Sequence, residues 1–157
     1  MKRTKMITQS AIIAALYVVL TFIANAMGLA SGAIQIRLSE ALTILPFFTP
    51  AAIPGLFIGC LVSNILVGSV LWDVIFGSIA TLLGALGTYA FKKHKWLAPV
   101  SPIISNTVIV PFVLIYAYGV AEALPYLMLT VGIGEVLSAG VLGMILLKSL
   151  EKHKNIF

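Results

Sequence analysis

Apolar runs follow one another from residue 7 to residue 147 with scarcely a charge inside them, and few structures are open to such a chain. A hydrocarbon core about 30 Å thick is crossed by about 20 apolar residues in a helix. Within it, every backbone N–H and C=O must be satisfied by the segment itself. Hydrophobic residues fill 61% of the 157 positions and charged residues 10%, whereas soluble domains carry roughly half and a quarter. Six crossings use about 120 residues, which leaves tails and short loops but no separate soluble domain. The expectation is one membrane-embedded domain over residues 1–157, an all-α integral membrane protein.

The first run, 7–26, follows Lys2, Arg3 and Lys5. Ala24-Asn25-Ala26 resembles a small-residue cleavage site, but the length of the run and the spans beyond it favour a retained helix over a signal peptide. Gly28, Ser31, Gly32 and Gln35 then mark a loop. Residues 38–70 contain Pro46, Pro50 and Pro54 and are too long for one ordinary span yet barely enough for two. Charge decides between them. With one span there, Lys92-Lys93-His94-Lys95 and the Lys148, Lys152, Lys154 tail fall outside the cell, against the positive-inside rule. Two short spans follow, at 38–48 and 51–67, with Pro50 in a first helical turn and the other prolines at a kink or break. The remaining spans are 71–91, 97–118 and 125–147, the last opened by Pro125.

The expected product is a compact bundle of six transmembrane helices in a bacterial plasma membrane, both termini cytoplasmic. Nine of the ten Lys and Arg residues then face the cytoplasm, Arg37 being the exception, while Glu40, Asp73, Glu122 and Glu135 lie outside or within the membrane. The net charge of +5 is therefore topological, and no nucleic-acid partner is expected.

Several chemistries are excluded by the residues present. No glycine precedes a lysine, so a G-x-x-x-x-G-K phosphate loop is absent, as are H-E-x-x-H and G-x-S-x-G. ATP would have to be hydrolysed by a partner. Cys60 is the single cysteine, and His94 and His153 stand in basic stretches, so neither a disulfide nor a structural metal is expected. No cofactor is expected in this chain.

Small residues four apart let helices approach closely: Ala11 and Ala15, Gly55 and Gly59, Ala80 and Gly84, Ala139 and Gly143. Most of these pairs are expected to pack the chain against itself, and Ala11/Ala15 is the pair assigned to a partner. No half-transporter repeat is evident, so alternating access would need a second copy or other subunits.

A charge at the bilayer centre costs at least about 2.5–3.5 kcal/mol and normally faces a partner, a cavity or a ligand. Glu135, in Val131-Gly132-Ile133-Gly134-Glu135, is such a residue, and Asn106 stands at comparable depth in the preceding span. The two either bind a ligand or simply hydrogen-bond each other. Arg37, Glu40, Asn64 and Asp73 gather toward the outer face. Arg37 and Glu40, three apart, are alternatively a helix-surface ion pair, Asp73 an N-terminal acid favoured by the helix dipole, and Trp72 an interfacial anchor. Taken as a set with Trp72, Tyr116 and Tyr118, these groups describe a pocket for a small, flat, hydrogen-bonding molecule. A purine-like base suits them: one carboxylate accepts from a ring N–H and an exocyclic amine together, and a carboxamide serves the ring carbonyl.

Three stretches give the chain a recognisable pattern: Ile36-Arg37-Leu38-Ser39-Glu40-Ala41-Leu42; Leu45-Pro46-Phe47-Phe48-Thr49-Pro50-Ala51-Ala52-Ile53-Pro54-Gly55-Leu56; and Gly59-Cys60-Leu61-Val62-Ser63-Asn64. With Asp73-Val74-Ile75-Phe76-Gly77-Ser78, Asn106 after Pro102, and Val131-Gly132-Ile133-Gly134-Glu135, the chain resembles the QueT family over nearly its whole length. That family supplies substrate-binding S components of energy-coupling factor (ECF) transporters for queuosine precursors of the 7-deazaguanine type.

The resemblance implies a subunit that captures its substrate outside and docks on a transmembrane coupling protein carrying two cytoplasmic ATPases. It maps the docking contact onto Ala11 and Ala15 and implies that the loaded subunit topples in the bilayer. The ligand contacts expected are Arg37, Glu40, Asn64, Trp72, Asp73, Asn106 and Glu135. Three other readings are an S component for a different vitamin or purine, a membrane-embedded enzyme using Glu135 and Asp73 as acid and base, and a purely structural subunit with no ligand.

Overall fold

A computed structural model of the chain describes residues 2–30 and 34–153. The loop residues Ser31 and Gly32, and Lys154 of the tail, lie outside the described residues. Among the described residues the fold is all-helical, with six α-helices: α1 (Lys2–Ala26), α2 (Ala52–Leu66), α3 (Leu71–Ala90), α4 (Val100–Tyr118), α5 (Leu124–Glu135) and α6 (Gly143–Glu151). A ten-residue 3-10 helix, Leu38–Phe47, precedes α2, and a π-helical stretch, Val136–Leu142, joins α5 to α6 in one continuous rod. Among the described residues four helical stretches, Arg3–Ala26, Leu71–Ala90, Lys95–Tyr118 and Leu124–Glu151, are long and apolar enough to cross a membrane.

The prolines explain most boundaries. Pro99 precedes α4, which starts at Val100 after a short 3-10 turn, Lys95–Leu97, and so begins later than residue 97. Pro125 opens α5 as expected. Pro50 instead sits in the turn before α2, and Pro54 occupies the first turn of that helix, where the missing N–H has no intrahelical partner to lose. Gly119 closes α4 with φ +66°, a left-handed conformation that glycine adopts without steric cost.

The 3-10 helix 38–47 is the centre of the molecule rather than a lipid-facing span. Eight of its ten residues, Ser39 to Pro46, are buried, as expected of a segment that is apolar or small on every side. Pro46 lacks an N–H and clashes with a carbonyl in the preceding turn, which disfavours a regular α-helix. Thr43 donates its hydroxyl to Glu40 O at 2.6 Å. At about 2.0 Å rise per residue the segment is about 20 Å long, shorter than the hydrocarbon core. Leu42, Ile44 and Leu45 pack there with Ile13 and Tyr17 of α1, Leu56 and Cys60 of α2, and Leu147 of α6.

Small residues set the helix crossings. A Cβ on Gly55 would lie 2.7 Å from Ser10 O and one on Gly59 2.7 Å from Tyr17 Cβ, so α2 runs parallel to α1 in near backbone contact. A Cβ on Gly84 would lie 2.8 Å from Pro102 Cα, and one on Gly143 3.0 Å from Ile44 Cγ2. Three of the four small-residue pairs thus face neighbours within the chain, while Ala11 and Ala15 remain exposed on α1 beside exposed Ile12, Leu16 and Val19.

The charges are sorted by this packing. The start of α1 lies by Thr49 and Ala51, the end of α3 by Ala98, and the end of α6 by the 92–97 turn through the Lys95–Glu151 ion pair, 3.6 Å. Lys92, Lys93, Lys95, Lys148 and Lys152 therefore share one end of the bundle with the start of α1. The opposite end carries residues 26–37, 66–71 and 118–124.

Candidate functional site

At the end away from the lysines the helices part around a cleft of two lobes. The first, about 390 Å³, is lined by Tyr17, Thr21 and Asn25 of α1, by Gln35, Arg37 and Ser39, and by Asn64, Asp73 and Tyr118. The second, about 300 Å³, is lined by Glu122, Tyr126, Thr130 and Glu135 with apolar residues of α4 and α5. Gln35, Arg37, Val110, Leu114 and Val120 border both, so Gln35 and Arg37 form the polar part of the dividing wall.

That wall is held from both sides. Ile36 donates its N–H to Leu29 O at 2.9 Å, and Arg37 donates its N–H to Ser138 Oγ at 3.0 Å. Gly134 lets the wall touch α5: a Cβ there would lie 2.2 Å from Gln35 O. The glycine before Glu135 is therefore required by a close backbone approach rather than by an unusual φ.

Glu40 lies beneath the cleft with 0% exposure. Tyr17 Oη donates to its Oε1, Thr81 Oγ1 donates to the same oxygen at 3.4 Å, and Asn106 Nδ2 donates to Oε2 at 3.4 Å. Asn106 is also 0% exposed and adjoins Glu135. Glu135 is 4% exposed, on the wall of the second lobe. The alternative in which Asn106 and Glu135 satisfy each other leaves a deficit, because Asn106 Oδ1 and Glu135 Oε2 are both buried without a hydrogen-bond partner.

The other expected residues separate into those that reach the cleft and those that do not. Asp73 lines the first lobe, where Tyr118 Oη donates to its Oδ2 at 2.8 Å, and Asn64 Nδ2 donates to Asp73 O at 3.4 Å. Arg37 lines both lobes and forms no ion pair with Glu40, so the helix-surface pair considered from their spacing is absent. Trp72 lies elsewhere: it is 58% exposed, stacks on Phe76 with centroids 5.8 Å apart, and lines an apolar groove between α3 and α4. Tyr116 lines that groove too, at 82% exposure, while Tyr118 belongs to the polar cleft. Among the described residues no three His, Cys, Asp or Glu side chains come together as a metal site.

Tyr17, Thr81 and Gln35 carry parts of the site that their sequence positions do not advertise. Tyr17 reads as one more apolar residue of the first span, and Thr81 as a small packing residue. The only signal was indirect: a buried carboxylate such as Glu40 needs donors, and a hydroxyl within an apolar run is a candidate.

The arrangement suits a polar, planar guest. Arg37 offers forked donors, Asp73 and Glu135 offer acceptors, and Asn64 offers a carboxamide beside them. The QueT transporter family profile matches residues 7–152 of the chain. Among curated proteins, the queuosine precursor transporter QueT of Lactococcus lactis subsp. cremoris (strain MG1363) is 41% identical over 99 residues, covering 60% of this chain and 57% of that protein. The match spans little more than half of that relative's length. No solved structure matches.

Proposed function

We propose that this chain, which belongs to the QueT transporter family, captures a queuosine precursor from outside as the S component of an ECF importer. The substrate is a 7-deazaguanine such as preQ0, preQ1 or queuine. The observation that carries the reading is the two-lobed polar cleft at the end of the bundle opposite the lysines, with Arg37 between Asp73 and Glu135. Under the positive-inside rule the lysine end is cytoplasmic. The cleft then opens outward, both termini lie in the cytoplasm, and the chain crosses a bacterial plasma membrane six times.

The base enters the first lobe, where the Asp73 carboxylate meets its ring N–H and exocyclic amine and Asn64 and Arg37 serve its carbonyl. Each charge-assisted bond contributes about 1.5–3 kcal/mol. A guest without the matching groups leaves a buried charge unpaired, and specificity follows from that mismatch. Glu40 and Asn106 act from beneath, holding the cleft's floor, and Trp72 is an interfacial anchor rather than a contact. Uptake uses ATP bound by two partner ATPases, coupled through a transmembrane subunit that docks at Ala11 and Ala15 on the exposed face of α1. Toppling of the loaded subunit turns the cleft to the cytoplasm.

Equilibrium binding to the purified, detergent-solubilised chain tests this directly, with guanine and two unrelated vitamins as competitors. Selective binding of 7-deazaguanines is expected, and Glu135→Gln is expected to weaken it by about tenfold or more. A folded chain that binds none of them, or that prefers a vitamin, overturns the substrate.

A further inference from the structure

The second lobe contains a mismatch among its polar groups. Glu135 Oε2 and Asn106 Oδ1 are both buried without a hydrogen-bond partner, although Asn106, whose Nδ2 donates to Glu40, lies beside Glu135. The three other carboxylates near the cleft are accounted for: Glu40 by its three donors, Asp73 by Tyr118, and Glu122 by exposure to solvent. Arg37 makes no ion pair with Glu135 among the described residues. Four carboxylates thus surround a cleft that holds one guanidinium, and the unpartnered one lines the second lobe.

Buried polar groups are hydrogen-bonded in native structures, and an unpaired carboxylate oxygen is among the costliest exceptions. A guest that brings N–H donors and a positive charge removes the deficit. A guest whose arm ends in an acceptor adds to it.

We propose that the second lobe receives a protonated amine, so that the chain selects 7-deazaguanines bearing an alkylammonium arm over those bearing a nitrile. This rests on the capture function proposed above. The base occupies the first lobe, its arm passes Gln35 and Arg37 where the lobes share a wall, and the ammonium donates to Glu135 Oε2. An ammonium has donors to spare and no lone pair, whereas a nitrile nitrogen only accepts. Glu122 on the rim adds a second negative charge along the path.

The experiment compares equilibrium binding of 7-aminomethyl-7-deazaguanine and 7-cyano-7-deazaguanine to the purified chain and to Glu135→Gln. The aminomethyl compound is expected to bind about ten- to a hundredfold more tightly to the native chain. Glu135→Gln should bring the two within about threefold of each other by weakening the aminomethyl compound much further than the nitrile, and an unchanged thermal unfolding midpoint in detergent reports a folded chain. Glu135→Asp, which keeps the charge, should retain the preference and serves if the glutamine variant does not fold. Equal affinities in the native chain, or a tighter nitrile, overturn the ammonium assignment and leave the capture function standing. A preference that survives Glu135→Gln also overturns it. Binding of neither compound by a folded chain overturns both.

Discussion

Glu40 has no exposed surface and three side-chain donors, from α1, α3 and α4. A carboxylate so placed is costly unless fully paired, and its pairing ties three helices to the central 3-10 segment. Tyr17→Phe removes one donor with little change of shape. A loss of about 1.5–3 kcal/mol of stability is expected, the range for hydrogen bonds to charged groups, measured by denaturant unfolding in detergent. Selective ligand binding should persist at low temperature, since Tyr17 lines the first lobe but its hydroxyl is turned to Glu40 beneath, and phenylalanine keeps the ring. Glu135 is the contrasting case: it lines the cleft, and its replacement should change affinity more than stability.

Helices here are placed by what their glycines allow. Gly132 and Gly134 are two residues apart on α5, yet a Cβ on Gly132 would meet Thr107 Oγ1 at an ordinary 3.4 Å, whereas one on Gly134 would meet Gln35 O at 2.2 Å. Gly134→Ala must therefore push the Gln35–Arg37 wall away from α5, and a fall in ligand affinity of about tenfold or more is expected, with Gly132→Ala nearly neutral; parallel titrations of the two variants check this. The π-helical stretch directly after Glu135 keeps α5 and α6 in one rod while presenting Ser138 Oγ to Arg37 N–H, a geometry frequent at functional sites. On α1, the proposed docking face leads to a different expectation. Ala11→Trp or Ala15→Trp should leave substrate binding intact, because both positions are exposed, yet abolish copurification with the coupling subunit.

At the scale of the molecule, the lysines lie at one end and the cleft at the other, so orientation and function are linked. Cys60 is buried, and a Cys60→Ser background leaves single cysteines readable by an impermeant reagent. A cysteine at Glu122 should react in intact cells, and one at Lys92 only after permeabilisation. The reverse pattern would place the cleft in the cytoplasm and sink outward capture. The short 3-10 helix and the 15-residue α2 fill a bundle whose other four helical stretches are long enough to span.

Hydropathy, proline spacing and lysine placement determined the all-helical membrane class, the positions of the helices to within a few residues, and the gathering of basic residues between apolar runs. These are local quantities, set by how each segment partitions into lipid and where its backbone N–H is missing. Residues 38–48 were legible as a helical segment but not as the buried centre, because an apolar run reads alike whether lipid or protein surrounds it. The sequence marked Glu135, Asp73, Asn64 and Arg37 by charge or polarity in an apolar setting. It left open which of them meet, since residues such as Tyr17 and Glu40, or Arg37 and Ser138, come together only when helices pack. Only the tertiary structure moved Trp72 from the polar cleft to a separate apolar groove, set Gln35 and Arg37 as a wall between two lobes, and left Glu135 Oε2 without a donor, because hydrogen-bond partnership across 23 to 101 residues of chain is decided by packing geometry and not by local composition.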